Sequence, residues 1–192
     1  MQPMAILAAT ADPVESRAAD LADFDQMVRL HWPRVFRFAL ASLRDKDAAL
    51  SIAQDCFVRA YSARRTFRGD CSVNTWLMQI AVNLVRDYGR NRRIQFWKRA
   101  QASALDLETV SRSIADRSSS PEGKALAKEQ VEAVWSATEK LPEKQRTVFL
   151  LRFVEDMDLL EIAAATGLKE GTVKAHLFRA TEAIRRRLGG IR

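Results

Sequence analysis

Glycine and proline are scarce, seven and five among 192 residues, which argues against a sheet-rich architecture with many tight turns. Cysteine and histidine are scarcer, two of each. Cys56 and Cys71 lack CxxC spacing and His31 and His176 stand alone, so neither a zinc site nor a disulfide framework is indicated. Cys56 lies on an apolar helical stripe and reads as a small buried thiol. No stretch approaches the roughly 18 uninterrupted apolar residues of a membrane span. The start, "MQPMAILAATADPVESRAAD", has no basic n-region and too short an apolar run for a signal peptide. A cytoplasmic location without direct membrane insertion is expected. There is also no Gly-rich phosphate loop, no metal-ligand cluster and no nucleophile with a base nearby. The expectation is a non-enzyme with no cofactor and no metal.

What is present is hydrophobic patterning and positive charge. Hydrophobic residues make up 47% of the chain and recur at helical spacing, so the expected class is all-α, in two small helical domains joined by a flexible linker. The formal net charge is +7, and its placement is uneven: residues 86–99 hold six Arg or Lys against one Asp, and residues 169–192 hold seven against two acids. Two separated basic sites fit two contacts with an extended polyanion such as DNA, where phosphate neutralisation releases counterions. Two solvated helix ends complementing their dipoles fit as well. Charge alone does not choose between them.

Residues 1–20 are expected to be disordered. A helical pattern begins with Phe24, Val28 and Leu30, and Pro33 is expected in the first turn of a new helix that packs Val35, Phe36, Ala39, Leu40 and Leu43. Ile52, Ala53, Cys56, Phe57, Ala60 and Tyr61 form the next stripe, with Gln54, Asp55 and Arg59 off its face. "FRGDCSVNT" interrupts the pattern, and Ser72 or Thr75 is the candidate cap of a helix carrying Trp76, Leu77, Ile80, Ala81, Leu84 and Val85. The polar, serine-rich segment 103–123 reads as a linker. Helix resumes near Ala125, and Pro142 opens another with Val148, Phe149, Leu151 and Phe153 inward.

The strongest local signal is "LLEIAAATGLKEGTVKAHLFRATEAIRRR". Ala163, Gly167 and Val173 hold the spacing of a helix-turn-helix: a small residue where the helices touch, a glycine able to take positive φ, and a branched residue packing back. Ile162, Leu168, Val173, Leu177 and Ala180 are expected inward, leaving Lys174, His176 and Arg179 outward for a DNA groove. Lys169 stands where a capping Ser or Thr would be favourable, with Glu170 compensating through the dipole.

Together "AQDCFVRAY", "FRGDCSVNTWLMQIAVNLVRDYGRNRR", "LPEKQRTVFLLRF" and "EIAAATGLKEGTVKAHLFRA" resemble the extracytoplasmic-function (ECF) group of bacterial RNA polymerase sigma factors, over about residues 22–188. The resemblance implies a domain at 21–102 that binds core RNA polymerase and melts the minus-ten promoter element. A linker at 103–123 and a helix-turn-helix domain at 124–192 for the minus-thirty-five element would follow. Promoter DNA and core polymerase are thus the implied partners, and an anti-sigma factor the implied regulator, able to wedge between the domains.

By the same resemblance Gln54 and Asp55 match the clamp-binding positions, although Leu50 and Ser51 stand where the family usually has acids. Gly69, Asp70, Cys71, Ser72 and Val73 match the loop that receives a flipped minus-ten base, and Asn83 a position that helps read it. Arg86, Arg90, Arg92 and Arg93 read as phosphate contacts beside the opened strand, and Trp76 as packing. Lys174, Ala175, His176, Phe178 and Arg179 match the positions facing the minus-thirty-five element, with Ala175 in place of a frequent serine. The alternative is a stand-alone helix-turn-helix transcriptional regulator. It would need a receiver or ligand domain, and the first 100 residues show no βα alternation.

Overall fold

A computed structural model describes the backbone of residues 24–102 and 123–189, and side chains for 24–92 and 131–189. The segments expected to be a disordered start (1–20) and a linker (103–123) lie outside the described residues, save Gly123. Seven α-helices and no strand occur among the described residues: α1 Phe24–Leu43, α2 Lys46–Ala63, α3 Val73–Ala102, α4 Gly123–Glu139, α5 Glu143–Phe153, α6 Leu159–Thr166 and α7 Glu170–Gly189, with a 3-10 turn at Arg64–Thr66.

Helices α1 to α3 form the N-terminal unit. Arg44, at φ 55, breaks the chain between α1 and α2. Asp45 then caps α2, its side chain accepting from the amides of Asp47 and Ala48 at 3.1 and 3.0 Å. The buried stripe of α2 is mostly small, Ala48, Ala49, Ala53, Cys56 and Ala60, with Ile52 and Phe57. Small side chains let the neighbouring helices approach closely. Trp32 of α1 stacks on Phe57 at 5.6 Å between centroids. Helix α1 differs from the expectation at Pro33, which lies inside a single helix rather than starting a second one. Met27 before it and Val35, Phe38 and Ala39 after it bury the same face, and that burial outweighs the roughly 3 kcal/mol an interior proline costs.

Helices α4 to α7 form the C-terminal unit. Asp158 and Glu161 make a capping box at α6: Glu161 N donates to Asp158 Oδ1 at 2.8 Å and Asp158 N to Glu161 Oε2 at 3.0 Å. Gly167 ends α6 at φ 69, a left-handed conformation that a side chain would strain. The start of α7 is held by the Lys169 carbonyl, which accepts from Thr172 N and Val173 N at 2.8 and 3.0 Å. In α5, Val148, Leu150 and Leu151 are buried, whereas Phe153 is 58% exposed, against expectation. Its ring packs tilted against the half-buried Phe149, with centroids 4.7 Å apart, because the helix ends there and no later element among the described residues covers it.

The two units share one core. Phe38, Leu77 and Met78 belong to the same continuous buried cluster as Leu151, Met157, Ile162 and Val173, and a smaller cluster of Ala137, Leu141, Ala180 and Ile184 ties α4 to α7. Ionic and polar contacts cross the same boundary. Arg37 forks onto Glu155, Arg44 reaches Glu139 at 3.1 Å, and Thr75 Oγ1 donates to Glu161 Oε1 at 3.3 Å. Hydrogen bonding to Glu155 raises the Arg37 pKa above its ordinary value, against an opposing effect of desolvation.

Candidate nucleic-acid interface

The first candidate surface begins at the loop before α3. Gly69 takes φ 74, which turns the chain after the exposed Arg68, and Asp70 is exposed. Ser72 caps α3, its Oγ accepting from Thr75 N at 3.1 Å and lying 2.9 Å from Thr75 Oγ1. Of the two candidate caps Ser72 therefore serves, while the buried Thr75 bridges to Glu161 of α6. Cys71 and Ser72 are half-buried, and Val73 is buried in the core as the loop's apolar anchor. Phe67 and Trp76 face each other at 4.8 Å, so Trp76 helps hold the base of this loop.

Three turns along α3, Asn83 is half-buried, and its Oδ1 accepts from Arg86 Nη2 at 2.6 Å. The carboxamide oxygen is thus engaged by a cation, and the amide group is left as the donor face. Arg90 is paired with Asp87 at 3.2 Å, and Arg86, Arg90 and Arg92 are exposed. Arg93 is in the helix, its side chain outside those described. The structure therefore places an amide and three guanidinium groups along one run of α3.

The second candidate surface is α7. Lys174 is exposed and pairs with Glu170 one turn earlier at 2.6 Å, a surface ion pair worth only a few tenths of a kcal/mol and readily exchanged for a phosphate. Phe178 is 68% exposed, unusual for an aromatic side chain on a packed helix and suited to a thymine methyl. Arg179 is exposed and Ala175 half-buried. His176 is half-buried rather than fully outward, with its Nδ1 buried and unpartnered. Burial lowers its pKa below the usual 6.5, assisted by the positive charges of Arg179 and of Lys144 on α5. Gln54 and Asp55 are both exposed on α2.

Two features escaped the sequence reading. Glu155, wholly buried against α1, looks in sequence like one acid of a surface run. The second is a cleft of about 500 Å³ in which Arg86 and Arg90 meet Lys144, Thr147 and the turn residues Gly167 and Leu168. Nothing in local spacing signals either, since both arise from packing between distant segments. Cys56 is fully buried, its Sγ 3.5 Å from the Leu77 carbonyl. Burial pushes its pKa up to about 12, partly opposed by Arg59.

The chain is similar to known proteins in sequence and in fold. Residues 27–94 match the family model Sigma-70 region 2, and residues 132–184 match Sigma-70, region 4. The chain is 35% identical over 136 residues to the ECF RNA polymerase sigma-E factor of Escherichia coli (strain K12), covering 69% of this chain and 70% of that protein. It is 28% identical over 172 residues to the ECF RNA polymerase sigma factor SigW of Bacillus subtilis (strain 168), covering 90% and 92%. Two solved structures share the fold. CnrH in complex with the cytosolic domain of CnrY has TM-score 0.66 at 23% identity, covering 93% of this chain and 99% of that one. The sigma factor RpoE in complex with the anti-sigma factor NepR, from Bartonella quintana, has TM-score 0.64 at 22% identity, covering 88% and 99%.

Proposed function

The chain belongs to the ECF group of RNA polymerase sigma factors, and we propose on that basis how its two surfaces divide promoter recognition. Sigma factors are not enzymes; they confer promoter choice on core polymerase. In our reading residues 21–102 bind core polymerase through the exposed Gln54 and Asp55 of α2. The loop Gly69–Val73 with Asn83 takes an unpaired base of the minus-ten element, while Arg86, Arg90, Arg92 and Arg93 hold the strand's phosphates. Residues 124–192 read the minus-thirty-five element through Lys174, Ala175, His176, Phe178 and Arg179, with 103–123 as the linker. Trapping an unpaired base recovers part of the stacking and pairing lost on melting, so binding alone drives opening.

The observation that carries this reading is the Asn83–Arg86 pair at 2.6 Å beside an exposed basic run. It couples a group able to read a base edge to one able to hold a phosphate, one helical turn apart. The test is transcription of genomic fragments by core polymerase with and without the chain. Promoter-specific transcripts that depend on the chain are expected; a chain that binds duplex DNA alone and never directs initiation would sink the reading.

An anti-sigma factor is the regulator this reading implies, supported by the shared fold with RpoE, which was solved with one. The site of action is the cytoplasm, where polymerase works; among the described residues no helix is long and apolar enough to cross a membrane. A narrower role in cobalt–nickel resistance, like that of CnrH, has only the likeness of fold in its favour. Nickel- or cobalt-induced expression of the chain's target transcripts would support it, and indifference of those transcripts to both metals would remove it.

A further inference from the structure

Helix α3 carries a glycine that packing does not explain. Gly89 lies inside Val73–Ala102, where glycine destabilises a helix relative to alanine. A Cβ at Gly89 would meet nothing within 4 Å, so no neighbour among the described residues demands its absence. The open space beside it is a hollow of about 320 Å³, walled by Gly89, Val85 and Leu43 and by Glu143, Arg146 and Thr147 of α5. It continues into the cleft of about 500 Å³, because Val85, Glu143 and Thr147 line both.

The two ends differ in chemistry. Around Gly89 the wall is apolar side chain and bare backbone, which suits a flat ring lying against the helix. In the cleft Arg86 and Arg90 of α3 meet Lys144 of α5. With Arg146 these make four cations, and the acids near them are Glu143 and the Asp87 that pairs with Arg90 at 3.2 Å. That surface pair is readily exchanged for a phosphate. Arg86 is held by the neutral Asn83, so its charge is not offset there, and guanidinium groups match phosphate oxygens in geometry. Glu143 stands where the two hollows join, and a carboxylate has lone pairs for several donors, a ribose hydroxyl among them.

We propose that the joined hollows form a site for a nucleoside polyphosphate, with the base on Gly89, Val85 and Leu43, the ribose at Glu143 and the phosphates on Arg86, Arg90 and Lys144. A bare polyanion leaves the apolar end empty, and an uncharged nucleoside leaves the cations unused. The site rests on the cavity and its charges alone. Its consequence for transcription rests on the sigma-factor reading, which gives Arg86 and Arg90 to the phosphates of the minus-ten strand. Nucleotide and strand then compete for the same guanidinium groups.

The test is calorimetric titration of the full chain with ATP, GTP, adenosine and inorganic tripolyphosphate, at about 0.15 M salt so that loose surface attraction is screened. ATP or GTP should bind with Kd below about 1 mM, at least roughly tenfold more tightly than adenosine or tripolyphosphate. Tripolyphosphate binding as tightly as both nucleotides, or no binding of either nucleotide, overturns the proposal. Gly89→Leu fills the hollow and should weaken the nucleotide about tenfold or more, while the melting temperature holds or rises. Unchanged nucleotide affinity in this variant overturns the placement of the base. Should Gly89→Leu lose helicity by circular dichroism, Lys144→Glu at an exposed position decides: a loss of about tenfold is expected, and unchanged affinity overturns the site. Saturating ATP should also weaken binding of a non-template minus-ten oligonucleotide to the wild-type chain about tenfold or more and leave Gly89→Leu unaffected; equal strand binding with and without ATP refutes the competition. Absence of specific transcripts with core polymerase would instead count against the sigma-factor reading, leaving calorimetry to decide the site.

Discussion

Removing Asn83 and removing Arg86 should weaken strand binding in two physically different ways, although the two side chains touch at 2.6 Å. Arg86 holds a phosphate in the proposed interface. Losing one phosphate contact on a single strand makes the slope of log K against log salt shallower by about 0.7, so the wild type's advantage over Arg86→Ala should shrink about threefold between 50 and 200 mM salt. Asn83 carries no charge. Asn83→Ala should cost about 0.5–1.5 kcal/mol, roughly 2- to 10-fold in affinity, with the slope unchanged. Because the Arg86 guanidinium donates to Asn83 Oδ1, each single change also disturbs the other group, and the double variant should depart from additivity. The exposure of Arg86 puts that coupling near the low end of the usual range, about 0.5–1 kcal/mol. The assay is binding of a single-stranded oligonucleotide carrying the non-template minus-ten strand to preassembled holoenzyme, titrated at several salt concentrations. Equal slopes for all variants, with additive losses, would refute both the assignment of roles and the link between them.

Three further expectations are independent of the promoter. Asp158→Ala removes the acceptor that caps the eight-residue α6 and should destabilise the chain by about 1 kcal/mol, some 2–4 °C in melting temperature; Asp158→Asn should recover most of it, and an equal loss with Asn would argue against the cap. Cys56, fully buried with its pKa near 12, should resist a thiol reagent at pH 8 while the half-buried Cys71 reacts. Two fast thiols in the native chain would contradict this. The His176 ring should titrate below 6.5 by NMR, and Lys144→Ala should move its midpoint upward. Its folded pKa is depressed, so whatever stability the neutral ring contributes is present above 6.5 and lost as pH falls; a midpoint above 6.5 would contradict the placement of the ring.

The apolar stripes that became α2 and α3 were legible because burial repeats every three or four residues on one face, as Ile52, Ala53, Cys56, Phe57 and Ala60 do. The helix-turn-helix was legible for a local reason too: Gly167 supplies the left-handed residue at its turn. Pro33 misled because proline chemistry is local and the packing that overrides it is not. Phe153 misled because a helical period continues on paper past the point where its neighbours end. For the candidate site, the basic run of α3 and the residues of α7 could be named from charge and family likeness. The Asn83–Arg86 hydrogen bond, the half-turned His176 and the pairing of Glu155 with α1 depend on rotamers and on segments more than a hundred residues apart. No sequence window contains that information.

In the proposed function this chain makes core polymerase open a promoter by capturing unpaired bases. Permanganate oxidation, which marks unpaired thymines, tests it most directly on a promoter found by transcription of genomic fragments. Thymines in the minus-ten element should become reactive when core polymerase and the chain are both present, and much less so with Asn83→Ala. If the chain bound that duplex alone and no thymine became reactive with core polymerase added, the account would be contradicted.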